Sequence, residues 1–431
     1  MTSQVQNRKT KPKRLIIDGF KCFRDRTEIE LAPLTILAGA NSSGKSSLMQ
    51  PFLLLKQTFE VPYDPGPLLL SGPNVMFSEV RQLFWHAPRD PRKDFTVGLD
   101  LGGIGGEITF VVDIPQKSKK ISNLLVEKCK WFENGYSFTV HSRMKSEDLI
   151  AILKEIPRYK NLLQALSKTK LTVTRWKSML VPFSEVLPLP GPWLPFEFFL
   201  RSLIHVPGLR GNPQRSYKYT AVREAYPGLF QDYVASVISY WQEKKPSKLE
   251  KLGEWLHHLG MTWKVEAKRV SATEIRLRVG RLPERGGARD VIDIADVGFG
   301  VSQVLPVVVA LLTEKSVVYV EQPEIHLHPR AQVRLADLIA EAVKRGVQVI
   351  VETHSELLLL GIQKLVASGE LSPEMVKLHW FERDEKGVAH VTTADLDESG
   401  SFGDWPVDFT AVSLETMKQY LDASLKNDEV S

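Results

Sequence analysis

The segment Leu34-Thr35-Ile36-Leu37-Ala38 runs straight into Gly39-Ala40-Asn41-Ser42-Ser43-Gly44-Lys45-Ser46, and no other stretch constrains the fold as strongly. Glycine, four residues, glycine, lysine, serine is the spacing of a phosphate-binding loop. The two glycines let the backbone bend tightly, so that successive N–H groups face one point and that point takes an anion. Residues 45–59, with Leu48, Phe52, Leu53 and Leu55, read as a helix whose positive end adds to the same site, with Pro51 a candidate kink. Lys45 is expected to reach the β- and γ-phosphates of a nucleoside triphosphate, and the Ser46 hydroxyl to ligate Mg²⁺. The motif thus predicts a site for ATP and Mg²⁺ over Gly39, Ala40, Asn41, Ser42, Ser43, Gly44, Lys45, Ser46 and Ser47. The competing reading is a chance match in a glycine- and serine-rich turn. It gives no reason for the strand before the loop or the helix after it.

A chain of 431 residues can hold one large domain with an insertion, or two domains. Apolar residues at 43% and charged residues at 25% are ordinary globular usage, which excludes wholesale disorder. The net charge of +5 is too small for this length to imply a nucleic-acid partner. Arg8, Lys9, Lys11, Lys13 and Arg14 cluster near the start, either as a solvated terminus or as an arm that touches phosphates. Cys22 and Cys129 are the only cysteines, which fits a reducing compartment. No signal peptide is visible, and the apolar stretch 301–312 is too short to cross a bilayer. The expectation is a cytoplasmic protein with no membrane partner.

Strands are expected at 15–18, 27–31 and 34–38, then a short antiparallel meander at 95–101, 107–112, 125–131 and 136–140. Gly102, Gly103, Gly105 and Gly106 sit between two of those strands and open no helix, so they read as a turn and not as a nucleotide fingerprint. Helices are expected within 147–168. A proline-rich linker should follow, with Pro182, Pro188, Pro190, Pro192 and Pro195. Helices resume at 221–243 and 248–259, strands at 262–267 and 274–279, and a polar loop at 284–290. The last third alternates again: helix 303–312, strand 317–320, helix 331–345, strand 347–351, helix 357–367. Its two strands are almost wholly apolar, as parallel strands buried on both faces should be. Four regions result: 1–94, the first part of an ATPase lobe; 95–290, the meander and helical insertion; 291–390, the second part of the lobe; and 391–431, a C-terminal cap.

Three further segments carry chemistry. Val317-Val318-Tyr319-Val320-Glu321-Gln322-Pro323-Glu324 is an apolar strand ending in an acid, and Glu321 is the candidate carboxylate for Mg²⁺ opposite the loop. Val347-Gln348-Val349-Ile350-Val351-Glu352-Thr353-His354 ends at the same carboxyl edge, where ligands bind in open α/β sheets. His354 is placed to touch the γ-phosphate or an attacking water, or to be satisfied by neighbouring backbone. Gly298, Gly300 and Ser302 precede a helix and form either a second anion-binding turn or a tight structural one. His326 and His328 have a metal-like spacing but no companions, and Pro329 reads as a helix start, so a structural role is expected.

Phosphate loop, long insertion, glycine segment, acid-ended strand and histidine-ended strand, in that order, resemble the ABC-type ATPase heads. That group includes the RecF and SMC proteins and the ATPase domain of the overcoming-lysogenisation-defect nucleases. The stretch 298–306 with 321–329 is similar to stand-alone prokaryotic AAA family ATPases of RecF-like or SMC-like type, without a coiled coil or a TOPRIM domain. The segment His205-Val206-Pro207-Gly208-Leu209-Arg210, with Pro213 and Arg215, and the tail Gly400, Phe402, Trp405, Pro406 and Phe409 are similar to the same group. The resemblance implies an α/β P-loop NTPase of ABC head type that forms a homodimer or higher oligomer. ATP on the loop of one subunit would be covered by Gly298, Gly300 and Ser302 of the other. His354 would be the switch histidine, and Arg210 and Arg215 would be weaker phosphate contacts.

This sequence departs from that group in two places. The glycine segment is not leucine-serine-glycine-glycine-glutamine. Gln322 stands where many such heads carry the glutamate that activates water, and glutamine orients a water without accepting its proton. Either Glu324 compensates or hydrolysis is slow. The leading expectation is an Mg²⁺-dependent ATPase whose dimerisation switches action on DNA or on a partner effector such as a nuclease. The alternatives are a weakly hydrolysing ATP-binding scaffold that gates a partner, and a DNA-binding structural protein.

Overall fold

The computed structural model describes residues 11–86, 91–113, 123–165, 170–184, 188–221, 225–281, 290–314 and 317–403. Arg8, Lys9, Trp405, Pro406, Phe409 and nearly all of the 284–290 loop lie outside the described residues.

The phosphate loop sits on a six-stranded sheet. Its parts in chain order are β1 (Leu34–Gly39), helix α1 (Lys45–Glu60), β2 (Ile204–Val206), α2 (Phe299–Leu311), β3 (Val317–Glu321), α3 (Pro329–Lys344), β4 (Gln348–Glu352), α4 (Glu356–Ala367), β5 (Val376–Arg383) and β6 (Ala389–Asp395). The strand order is β2-β3-β4-β1-β5-β6. Every pair is parallel except β5 with β6. Alternate residues feed two cores: Leu34, Ile36, Val318, Val320, Val349 and Val351 point to one side. Leu37, Val317, Tyr319 and Ile350 point to the other. Burial on both faces explains why these strands carry so few polar residues. On the first side lie α2, α3 and α4 with the helices Val234–Lys244 and Pro246–His258. On the second lie α1, the helix Trp193–Ser202 and a six-stranded antiparallel sheet.

That second sheet runs Thr27–Glu30, Arg14–Asp18, Asp94–Asp100, Ile104–Asp113, Asn123–Glu133, Tyr136–His141. Arg14–Asp18 pairs with Asp94–Asp100, so the sheet spans the expected boundary after residue 94. Of the glycine run, only Gly102 and Gly103, at φ 86° and 89°, form the hairpin turn; Gly105 and Gly106 lie in the strand Ile104–Asp113. Among the described residues no helix is long and apolar enough to cross a membrane.

Some expected elements differ. The proline-rich stretch is not a linker: Pro182 lies in Met179–Phe183, which pairs with Thr172–Trp176 in a two-stranded hairpin. Pro195 sits in the first turn of Trp193–Ser202, where a backbone N–H has no helical partner to lose. Helix α2 starts at Phe299, so Gly300 and Ser302 belong to its first turn and not to a preceding loop. The helix expected at 221–243 begins at Val234, after a 3₁₀ turn at Phe230–Tyr233. Strands β2, β5 and β6 have no counterpart in the expected pattern. Strand β6 crosses the expected start of the C-terminal cap at 391.

Candidate functional site

Gly39, at φ 140°, turns the chain out of β1, and a Cβ there would lie 2.2 Å from the carbonyl oxygen of Phe381 on β5. Gly44, at φ 118°, caps α1. These backbone angles are open to glycine and strained for other residues, which is why the motif needs both. Lys45 is almost fully buried and folds back on its own loop: Nζ donates to the carbonyls of Gly39 at 3.0 Å and Ala40 at 2.7 Å. Burial pushes its ammonium below the ordinary lysine value. The loop forms one wall of a cleft of about 390 Å³. Opposite it stand Gln322, Glu352 and His354, and two further cations, Lys21 and Arg383, line the same space.

The carboxyl edge of the sheet brings two acids side by side, because Glu321 on β3 is in register with Glu352 on β4. They do different things. Glu321 accepts from His205 Nε2 at 3.1 Å and from the Gly208 N–H at 3.0 Å. Burial alone would raise its carboxyl, but His205, the Gly208 N–H and the Tyr319 hydroxyl together outweigh it and hold it below the usual range. Glu352 accepts from Ser46 Oγ at 2.7 Å and from the Tyr319 hydroxyl at 2.8 Å. Its side chain is buried, and burial wins over both bonds, so its carboxyl is raised. The acid in contact with the loop serine is therefore Glu352, which the sequence reading passed over. Ser46 hydroxyl and Glu352 carboxylate are hard oxygen donors within one hydrogen bond of each other, of the kind a divalent cation takes.

Gln322 holds a left-handed backbone at φ 43° and faces the cleft. Glu324 accepts the His354 N–H at 2.9 Å through Oε1, and its buried Oε2 has no hydrogen-bond partner. Burial raises its carboxyl. Burial and the nearby Lys45 lower the His354 imidazole, and its ring bonds the Gly39 backbone. The His354 ring thus touches neighbouring backbone while it lines the cleft.

The chain does not bring Gly298, Gly300 and Ser302 to its own phosphate cleft. They open α2, where Ser302 Oγ donates to the Phe299 carbonyl at 2.9 Å and the Phe299 ring is 53% exposed. Arg210 is buried, and Nη2 donates to the carbonyls of Glu321 at 2.6 Å and Gln322 at 3.2 Å. Arg215 pairs with Asp296 at 2.7 Å on the surface. His328 caps α3, its Nδ1 accepting the Arg330 N–H at 3.3 Å. Lys21 and Arg383 were also missed, since neither belongs to a recognisable motif, and His205 was named only within the 205–210 segment, without a role. Glu352 alone had a signal, as the acid that ends the second apolar strand.

Residues 11–175 match the family described as "AAA ATPase domain". Residues 210–360 match the family described as "AAA domain, putative AbiEii toxin, Type IV TA system". No curated protein matches. Among solved structures, an SMC head bound to the C-terminal winged-helix domain of ScpA is similar, at 12% identity and a TM-score of 0.48 over 90% of this chain and 98% of that one. The SMC head domain from Thermotoga maritima is similar at 11% identity and a TM-score of 0.39, over 89% and 98%. An SMC head with an extended coiled coil bound to the C-terminal domain of ScpA, derived from Pyrococcus furiosus, is similar at 11% and 0.43, over 94% and 99%.

Proposed function

Starting from an ABC/SMC-like AAA ATPase, a P-loop nucleoside triphosphate hydrolase, we propose that this chain binds ATP with Mg²⁺ in the cleft between the loop Gly39-Ala40-Asn41-Ser42-Ser43-Gly44-Lys45-Ser46-Ser47 and the ends of β3 and β4. The observation that carries the reading is the contact of Ser46 with a carboxylate from the opposite side of the cleft, at 2.7 Å. The loop amides and the start of α1 bind the phosphates, and Lys45 exchanges its bonds to Gly39 and Ala40 for phosphate oxygens. The Ser46 hydroxyl and a carboxylate of the strand ends would hold Mg²⁺, which when bound neutralises charge on the phosphates. His354, a neutral ring beside Lys45, positions a water or a γ-phosphate oxygen, and Glu324 fixes the backbone that carries it. Gln322 orients the water.

The nucleotide acts as a switch. Gly298, Gly300 and Ser302 do not line their own chain's cleft, and Phe299 beside them is exposed. A second copy would bring this segment over the bound ATP, and the dimer would act on DNA or on a partner effector. The test is ATP turnover by the full chain and its mass by light scattering with and without ATP, with Lys45→Ala as control. Equal turnover in both proteins removes the assignment, and an ATP-independent mass removes the switch.

Gln322 favours a second reading, a slow ATPase that works as a nucleotide-gated scaffold. An amide cannot take the proton of the attacking water, and the cleft offers no carboxylate at that position.

A further inference from the structure

The sheet order separates the two acids at the carboxyl edge. Strand β4, which ends in Glu352, lies next to the loop strand β1, and β3, which ends in Glu321, lies beyond it. With strands about 4.8 Å apart, Glu321 starts roughly 10 Å from β1, twice as far as Glu352. The side chains follow suit. Glu321 bonds the 205–210 segment through both oxygens, one to His205 and one to the Gly208 N–H, and it also accepts from the Tyr319 hydroxyl. The same segment is tied a third time, by Arg210 on the carbonyls of Glu321 and Gln322. Glu352 lines the phosphate cleft and meets Ser46 directly, and its other oxygen accepts from the buried Tyr319 hydroxyl, which Glu321 shares.

We propose that Glu352 is the carboxylate that, with the Ser46 hydroxyl, receives the divalent cation of a bound nucleotide, while Glu321 is a positioning residue for the 205–210 segment. This rests on the reading of the cleft as a nucleotide site. In this assignment β4, and not β3, supplies the cation-facing carboxylate, and the Tyr319 phenol lies between the two acids, 2.8 Å from Glu352.

Mn²⁺ serves as the probe, its free fraction read by electron paramagnetic resonance with the full chain and a non-hydrolysable ATP analogue. Calorimetry in chelator reads metal-free nucleotide affinity separately. Glu352→Gln should weaken Mn²⁺ by at least about tenfold and leave metal-free nucleotide affinity within about threefold. Glu321→Gln should leave Mn²⁺ within about threefold. Unchanged Mn²⁺ affinity in Glu352→Gln, or a loss confined to Glu321→Gln, overturns the proposal while the nucleotide reading stands. No nucleotide uptake by the parent overturns both. Should Glu352→Gln fail to melt cooperatively, Glu352→Asp decides, because it keeps the charge but withdraws it from Ser46 by one methylene. An Mn²⁺ affinity in that variant equal to the parent's overturns the assignment, and a loss of at least about threefold supports it.

Discussion

The backbone N–H of Gln322 donates to the carbonyl oxygen of Glu352 at 2.7 Å, so the ends of β3 and β4 are locked together on the side of the cleft that faces the phosphate loop. The bond holds Gln322 in a left-handed conformation that a non-glycine residue rarely keeps without such support. The amide side chain lines the cleft. In the proposed hydrolysis site, that amide is the element least suited to taking a proton.

Gln322→Glu is therefore expected to raise steady-state ATP turnover by about 10²-fold, the usual scale of a positioned general base. The backbone geometry should survive, since glutamate has the same shape. Phosphate release under saturating ATP measures the change. Rates within threefold of each other would show that another group activates the water.

Lys45→Ala should weaken ATP by at least about tenfold, because the cation proposed to meet the phosphates is lost. The same change leaves the carbonyls of Gly39 and Ala40 without the ammonium that now satisfies them. A modest loss of stability, about 1–3 kcal/mol, should accompany the loss of binding. Calorimetric titration and urea denaturation separate the two effects.

Gly39→Ala places a methyl 2.2 Å from the Phe381 carbonyl oxygen at a φ of 140°. Both β1 and β5 would have to shift, so a destabilisation of at least about 2 kcal/mol is expected. Gly103→Ala is the control. It shares a positive φ, 89°, but a methyl there meets nothing within 4 Å. It should lose only about 1 kcal/mol. Similar urea midpoints for the two variants would mean that the approach of β5 to the loop is not tight in solution.

The strand, loop and helix at residues 34–59 were legible because their signal is local: an apolar run, two glycines at fixed spacing and an amphipathic helix. The same holds for β3 and β4, whose apolar runs announce burial on both faces. The antiparallel sheet was half legible. Its hairpins follow from alternation and turns, but the pairing of Arg14–Asp18 with Asp94–Asp100 depends on contacts some eighty residues apart. Strand β2 is three residues long and gives no period to read. Pro182 and Pro195 misled, because a hairpin edge and a first helical turn accept proline as readily as a linker does. At the site, the identity of the acid at Ser46 could not be read from β3 alone. It depends on strand order, which puts Glu352 and not Glu321 next to the loop strand.

Glu324 gives a pH signature of its own. Its folded carboxyl is raised above the ordinary 4.5 by burial, against the opposing His354 N–H and the nearby Arg210. An acid that is harder to ionise when folded keeps its proton after the unfolded chain has lost it. Between 4.5 and the folded value the native state thus binds more protons, and its contribution to stability falls as pH rises through that window. Glu324→Gln keeps the shape and the acceptor for the His354 N–H but cannot ionise. Relative to the parent it should therefore gain stability progressively above pH 4.5, and the two should run parallel in more acidic buffer. Urea midpoints taken across pH 4 to 8 at constant salt measure the difference. A constant gap over the whole range would mean that Glu324 ionises as freely in the fold as outside it. Turnover of the same variant should stay within about threefold of the parent, because the amide still fixes His354, whereas Glu324→Ala should lose about tenfold.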